Sequence, residues 1–399
     1  MSSDSNLMTL PASARTRAAQ AGFASLILLS IAHFFIDLYA SAISIFQPLL
    51  VDKLHLSLTQ AGILGGLLVF SSSVLQPAYG YLSDRFQTRM FSVLAPAVAG
   101  IFISALAVAP SYAWAAVLIL LGGAGIASFH PQATARATVG LSGGRGRAMA
   151  IFISSGTLGM ALGPSVYSQL LEHLGAAGAG WAVIPGLVVT GLLVVMLPDV
   201  RSATAHRGLR SDWRALSLCW KPLTILYFLV FIRSIIHITY AQFLPLYLHR
   251  ERDYSLPNAA FALTAYLAAG ALGGFVGGHL SDRFGGRFVI LISMIACVPF
   301  LALFFLTGGL LSIAGLSLGG LILLFTIPVN VVMAQELAPE QAGTVSALMM
   351  GFAWGMAGLM FIPLTGWLSD HFSMESALAG LLIFPVIGFF LTLLLPRKA

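Results

Sequence analysis

Charge is what this sequence has least of. Asp, Glu, Lys and Arg make up 9% of the 399 residues, whereas a soluble domain carries about a quarter. That scarcity excludes a soluble enzyme, a nucleic-acid binder and a disordered scaffold together. Cysteine is nearly absent as well. Cys219 and Cys297 stand far apart, one in a loop and one in an apolar run, so neither a disulfide framework nor a thiolate metal site is expected. No His/Cys set has zinc-ligand spacing. Gly143-Gly144-Arg145-Gly146 lacks the lysine-serine ending and the following strand of a phosphate loop. No enzymatic activity, cofactor or metal is therefore expected. The stretch from Met1 to Gln20 is polar and lacks the short apolar core and small-residue cleavage site of a signal peptide, so the first apolar run is expected to be a retained helix.

What is present is apolar length. Hydrophobic residues make up 58% of the chain, and a spanning helix needs about 20 of them. Runs at roughly 22–50, 58–82, 91–109, 112–134, 147–171 and 180–197 form a first set, and runs at roughly 223–248, 257–280, 288–306, 309–334, 342–368 and 376–395 a second. The expected fold is an all-α integral membrane protein with about twelve transmembrane helices in two pseudo-symmetric six-helix bundles. Residues 1–21 form a tail, 22–197 the first bundle, 198–221 a polar linker, 222–396 the second bundle and 397–399 a short end. Lys and Arg sort by side. With both termini inside, 16 of the 20 fall on cytoplasmic segments, Lys53, Arg250 and Arg252 fall outside, and Arg233 lies within a helix. The basic surplus of +6 thus sets topology and does not call for nucleic acid.

The halves repeat. Gly80-Tyr81-Leu82-Ser83-Asp84-Arg85-Phe86 recurs as Gly278-His279-Leu280-Ser281-Asp282-Arg283-Phe284, an offset of 198 residues. Asp84, Arg85, Asp282 and Arg283 stand where a spanning helix meets its cytoplasmic loop, and a charge cluster there can latch the halves and release as they rock. This repeated motif resembles that of the major facilitator superfamily. Helix five carries Gly156, Gly159, Gly163 and Pro164, small residues one turn apart with a proline to kink them. That run is similar to the helix-five motif of the superfamily's proton-coupled exporters, and Gly159, Gly163 and Pro164 are assigned to gating on that likeness.

Ionisable groups inside the apolar runs are costly and point to function. Helix one holds His33 and Asp37 at i and i+4, a pair able to share and pass a proton. Helix seven holds Arg233 and His237 with the same spacing. A buried Arg needs a partner, either Asp37 across a cavity or an anionic substrate. His130 precedes Pro131, which predicts a distorted end to helix four. Glu336 is expected near the cytoplasmic edge, close to the level of His130 by the repeat.

Several segments narrow the resemblance to the fosmidomycin-resistance exporters. They are Ala32-His33-Phe34-Phe35-Ile36-Asp37, Leu75-Gln76-Pro77, Phe129-His130-Pro131 with Ser142-Gly143-Gly144-Arg145, Ala334-Gln335-Glu336-Leu337 and Gly351-Phe352-Ala353-Trp354-Gly355-Met356. Two positions depart from that pattern. Ile36 stands where the family usually has Asn, and Gln132 where an acidic residue is common; both are expected near the pathway. The resemblance implies a monomeric drug/proton antiporter of a bacterial inner membrane that exports small molecules such as phosphonates. Asp37 and His33 would couple protons, Arg233, His237, His130 and Gln76 would meet substrate, and Glu336 would join the gating residues. Proton-driven uptake of an organic anion is the alternative, and a non-transporting receptor a third reading.

Overall fold

The computed structural model describes residues 12–86, 88–139, 141, 144–198 and 219–396; within these, side chains are not described at 12–21, 84, 145, 340, 343 and 344. Most of the expected linker, the outermost tails and the Ser142-Gly143 loop therefore lie outside the described residues. The helices are α1 (Ala12–Ser41 and Ile43–Leu54), α2 (Leu58–Val69 and Gln76–Phe86), α3 (Met90–Ser104), α4 (Tyr112–Arg136), α5 (Arg145–Gly178) and α6 (Val183–Met196). The second half holds α7 (Trp220–Glu251), α8 (Leu256–Phe284), α9 (Gly286–Leu306), α10 (Gly309–Leu323 and Thr326–Leu337), α11 (Ala342–Ala347 and Ala353–His371) and α12 (Met374–Gly380 and Ile383–Leu393).

By length and apolarity these make 11 spans among the described residues. One of them, Gly146–Met196, is 51 residues long and contains both α5 and α6. It breaks at Gly175, whose φ of 68° lies in the left-handed region that favours glycine. Large apolar side chains face outward along the helices, among them Val195, Leu306 and Phe275. A helix apolar on all sides is solvated by lipid, and the molecule is a multi-pass membrane protein.

Serine caps start four of the six even-numbered helices. Ser57 forms a capping box with Gln60 at α2, and Ser111, Ser255 and Ser373 accept a backbone N–H at α4, α8 and α12. Within each half the packing repeats: α1 lies on α5 as α7 lies on α11, and α3 on α4 and α6 as α9 on α10 and α12. Arg89 donates to the carbonyl of Val194 at 2.9 Å, and Arg287, offset by 198, to those of Thr392 at 3.4 Å and Leu393 at 2.9 Å. Each arginine thereby satisfies the last carbonyls of the sixth helix of its half.

The halves meet through α2 on α11, α5 on α8, and the second segment of α1 on α7. Glycine makes the first contact close. A Cβ at Gly62 would stand 2.7 Å from the carbonyl oxygen of Ile362, and one at Gly366 would strike that of Leu58. At this end the Asp370 carboxylate accepts from the amides of Leu58 and Thr59, at 2.8 and 2.7 Å, and from the Thr59 hydroxyl at 2.6 Å. Asp52 pairs with Arg250 between the same halves.

Three expectations change here. Helix α4 keeps its helical course through Pro131 to Arg136, so the distortion expected at His130 does not interrupt it. A proline disfavours the helical region for its predecessor without forbidding it, and neighbouring helices inside a membrane compensate the missing N–H. Second, Gly80 faces Pro131 as Gly278 faces Pro328, at 3.5 and 3.8 Å from the position of a Cβ. That register puts Ile327 at the level of His130, and Glu336 lies about 13 Å further along the helix. Third, neither Ile36 nor Gln132 lines the central cavity. Ile36 is core, and Gln132 joins Ser83, Thr88 and Ser92 where α2, α3 and α4 meet.

Candidate functional site

Helix α1 presents His33 and Asp37 one turn apart toward α4 and α5. The His33 ring stacks on Phe152 of α5 with centroids 4.3 Å apart. Its Nδ1 lies 2.8 Å from the Phe152 carbonyl oxygen. A carbonyl only accepts, so Nδ1 carries a proton, and Nε2 is left to face Asp37 Oδ2 at 3.3 Å. One proton fits between those two atoms, on either the imidazole or the carboxyl. The other carboxylate oxygen, Oδ1, lies 3.5 Å from Nε2 of His130 on α4. A buried carboxylate is thus held between two imidazoles. His33 and Asp37 are each 7% exposed.

Gly156 makes room for this arrangement. A Cβ there would fall on His33 Nε2 and 2.5 Å from Asp37 Oδ2. Gly159 and Gly163 pack onto the backbone of α1 at Phe34 and Leu38, with Pro164 directly after Gly163. The helix-five glycines therefore seat α1 against α5 inside one half.

In the second half Arg233 and His237 lie on α7. Arg233 is 4% exposed; its Nη2 donates to Ser234 at 3.2 Å, while Nε and Nη1 have no partner among the described residues. Trp354 of α11 lies with its ring centroid 5.6 Å from the guanidinium carbon. His237 Nδ1 is 3.2 Å from the Tyr266 hydroxyl. The pairing of Arg233 with Asp37, one of the two partners expected for it, is not formed in this conformation. Both ion pairs of Asp37 are with histidines.

A cavity of about 140 Å³ lies between the halves, lined by Asp37, Gln76, His130, His237, Gln242 and Trp354 together with Ser41, Ser44, Ser72 and Ser73. Four sequence-expected residues, Asp37, Gln76, His130 and His237, are thereby brought to one wall-bounded space. Arg233 stands just outside it, beside Trp354, and His33 stands behind Asp37. Ligand pockets commonly measure about 300–1,000 Å³, so a drug-sized molecule needs the halves to part further.

The repeated motifs lie elsewhere. Arg85, Asp282 and Arg283 are exposed at the far end of α2 and α8, the Asp84 side chain lies outside the described residues, and Glu336 is exposed near the end of α10. Spacing along the chain offered no metal ligands, yet His33, Asp37 and His130 bring one ligand atom each to within 4.8 Å of one another. Gly156 and Trp354 also join the site. Both stood in quoted motifs, and the i, i+3, i+7 series at 156, 159 and 163 was the available signal for the first.

Known proteins agree with this architecture. The family model for the Major Facilitator Superfamily matches residues 29–362 and, in a second match, 259–399. The MFS-type transporter YfnC of Bacillus subtilis is 31% identical over 380 residues, covering 93% of this chain and 92% of that protein. The fosmidomycin resistance protein of Escherichia coli is 30% identical over 399 residues, covering 96% of each. Among solved structures, a bacterial homologue of the human lysosomal transporter Spinster, inward-facing and unoccupied, superposes with a TM-score of 0.77 at 16% identity, over 94% of this chain and 97% of that one. That likeness shows the fold.

Proposed function

This chain belongs to the Major Facilitator Superfamily, and from that premise we propose a proton-coupled exporter of small molecules bearing an anionic group, with fosmidomycin-like phosphonates as the first class to test. It would act as a monomer in a bacterial inner membrane. The end carrying the two Ser-Asp-Arg motifs and both termini would face the cytoplasm. In that orientation the contacts of Asp370 and Asp52 close the outer side.

The observation that carries the reading is Asp37, buried on the cavity wall between two imidazoles with no Lys or Arg paired to it among the described residues. A lone buried carboxylate is costly when ionised and is relieved by a proton. Alternating access would present the same carboxylate to each side in turn. Hydroxyl or amide donors of a substrate would hydrogen-bond the deprotonated carboxylate, and its anionic group would turn toward the two unpartnered nitrogens of Arg233. Substrate and proton then compete for Asp37, which makes exchange obligatory. His33 holds the shared proton and His130 hands it to the cavity. This scheme needs no Asp37–Arg233 pair.

Reconstitution in proteoliposomes tests this. Asp37→Asn is expected to lose flux driven by a pH gradient, while exchange of substrate for substrate persists. Full gradient dependence in Asp37→Asn would sink the scheme. The open donors of Arg233 equally suit an anion importer, and the direction of accumulation under an inward proton gradient separates the two, since an importer concentrates substrate and an exporter depletes it.

A further inference from the structure

The cluster that the proton scheme uses has a second chemistry. We propose that His33, Asp37 and His130 form a binding site for a divalent transition-metal cation of the zinc class. This goes beyond the transport reading and needs no flux to test.

Geometry supplies the first support. Tetrahedral zinc with bonds of about 2.0–2.1 Å sets its ligand atoms about 3.3–3.4 Å apart. His33 Nε2 to Asp37 Oδ2 is 3.3 Å and His130 Nε2 to Asp37 Oδ1 is 3.5 Å. These two contacts engage different carboxylate oxygens; with one ligand atom from each residue, all three atoms lie within 4.8 Å of one another, so side-chain shifts on the order of 1 Å bring them to zinc-ligand spacing. Orientation supplies the second. A ligating histidine usually donates its other ring N–H to a carbonyl or carboxylate, and His33 does so to Phe152 at 2.8 Å. That bond keeps Nε2 free of a proton whenever the ring is neutral, with its lone pair aimed at the site.

Charge and access complete the case. With both rings neutral the buried carboxylate has no compensating cation in contact, and a metal ion provides one. Two imidazoles and one carboxylate are a poor set for Mg²⁺ or Ca²⁺, which take oxygen ligands, and a good one for Zn²⁺ or Co²⁺. Asp37 and His130 line the cavity, which gives the ion an entry path and leaves its fourth position to water. A bound ion ties α1 to α4 and displaces the proton from Asp37, so zinc is expected to inhibit proton-coupled flux.

The test uses the purified, tag-free full chain in detergent. Cobalt(II) added to the wild-type protein should produce visible d–d bands of a low-symmetry N/O site, abolished by Zn²⁺ at one equivalent and untouched by excess Mg²⁺. Calorimetric Zn²⁺ affinity should fall at least about 100-fold in His130→Ala and in His33→Ala. His130→Asp, which restores an oxygen ligand, should recover much of it. Unchanged affinity in both alanine variants overturns the proposal. So does a folded wild-type protein that gives no zinc-displaceable cobalt spectrum, whatever the variants do. A working antiporter that binds no zinc refutes this inference alone, and a zinc-binding protein without proton coupling refutes only the transport reading.

Discussion

At the scale of single residues, chemistry rests on what surrounds Asp37. The His33–Asp37 pair was legible in the sequence because the i, i+4 spacing of a helix makes them neighbours wherever that helix goes. His130 as the third member was not, since it lies 93 residues further on and meets Asp37 only through the packing of α4 on α1. Gly156 was legible as a small residue but not as the one facing the pair. Its role gives a sharp expectation. Gly156→Ala puts a methyl group in steric conflict with His33 Nε2 and Asp37 Oδ2, so the pair must separate or α1 must shift. Overpacking of this kind costs about 1–3 kcal/mol. Gradient-driven flux should fall by an order of magnitude or more while the protein remains folded, checked by transport and thermal melting on one preparation. Arg233→Lys is a complementary change. It keeps the charge and removes the fork that two-point binding of an anion uses. KM for a phosphonate should rise about ten-fold with little change for an uncharged substrate, and equal effects on both would assign Arg233 to structure alone.

At the scale of elements, apolar length located the spans, and the interruptions within them escaped it. Helix α2 passes through a π turn at Phe70–Val74 and α11 through another at Leu348–Phe352, and the two turns touch across the halves. A slipped hydrogen-bond register has no compositional signature, which is why both runs read as plain helices. The π turns lie beyond the tight contact of Gly62 and Gly366, toward the Ser-Asp-Arg end of α2. Such turns often mark functional bends. Asp370 is the counterpart at the closed end. Its carboxylate caps the start of α2 from the end of α11 with three hydrogen bonds, and a negative charge there is favoured by the helix dipole. Asp370→Asn retains the shape and loses the charge. The population closed at this end should drop by a factor on the order of five, read as a longer spin-label distance between positions 54 and 372 in a protein whose Cys219 and Cys297 have been replaced. An unchanged distance distribution would show that glycine packing alone holds this end.

At the scale of the whole molecule, the repeat was the most legible property, because an offset of 198 residues is visible without any structure. What the repeat could not disclose is which pseudo-equivalent contacts are made at one moment. α2 meets α11 and α5 meets α8 by the same symmetry, yet Asp370 caps α2 at one end while Asp282, at the other, stands exposed. A carrier that alternates must have two such devices and must not close both. Asp370 stabilises one state and the Ser-Asp-Arg charges, in this reading, stabilise the opposite one, so the resting equilibrium is their difference. Removing one device shifts the populations by its own stabilisation, and removing both returns the equilibrium toward its starting point because the losses oppose. Asp370→Asn and Asp282→Asn should therefore move the spin-label populations in opposite directions, and the double variant should lie near the wild type while exchanging between states faster than either. Two shifts in the same direction, or a double variant further from wild type than each single one, would mean that Asp282 supports the conformation seen here and that the second latch lies elsewhere in the molecule.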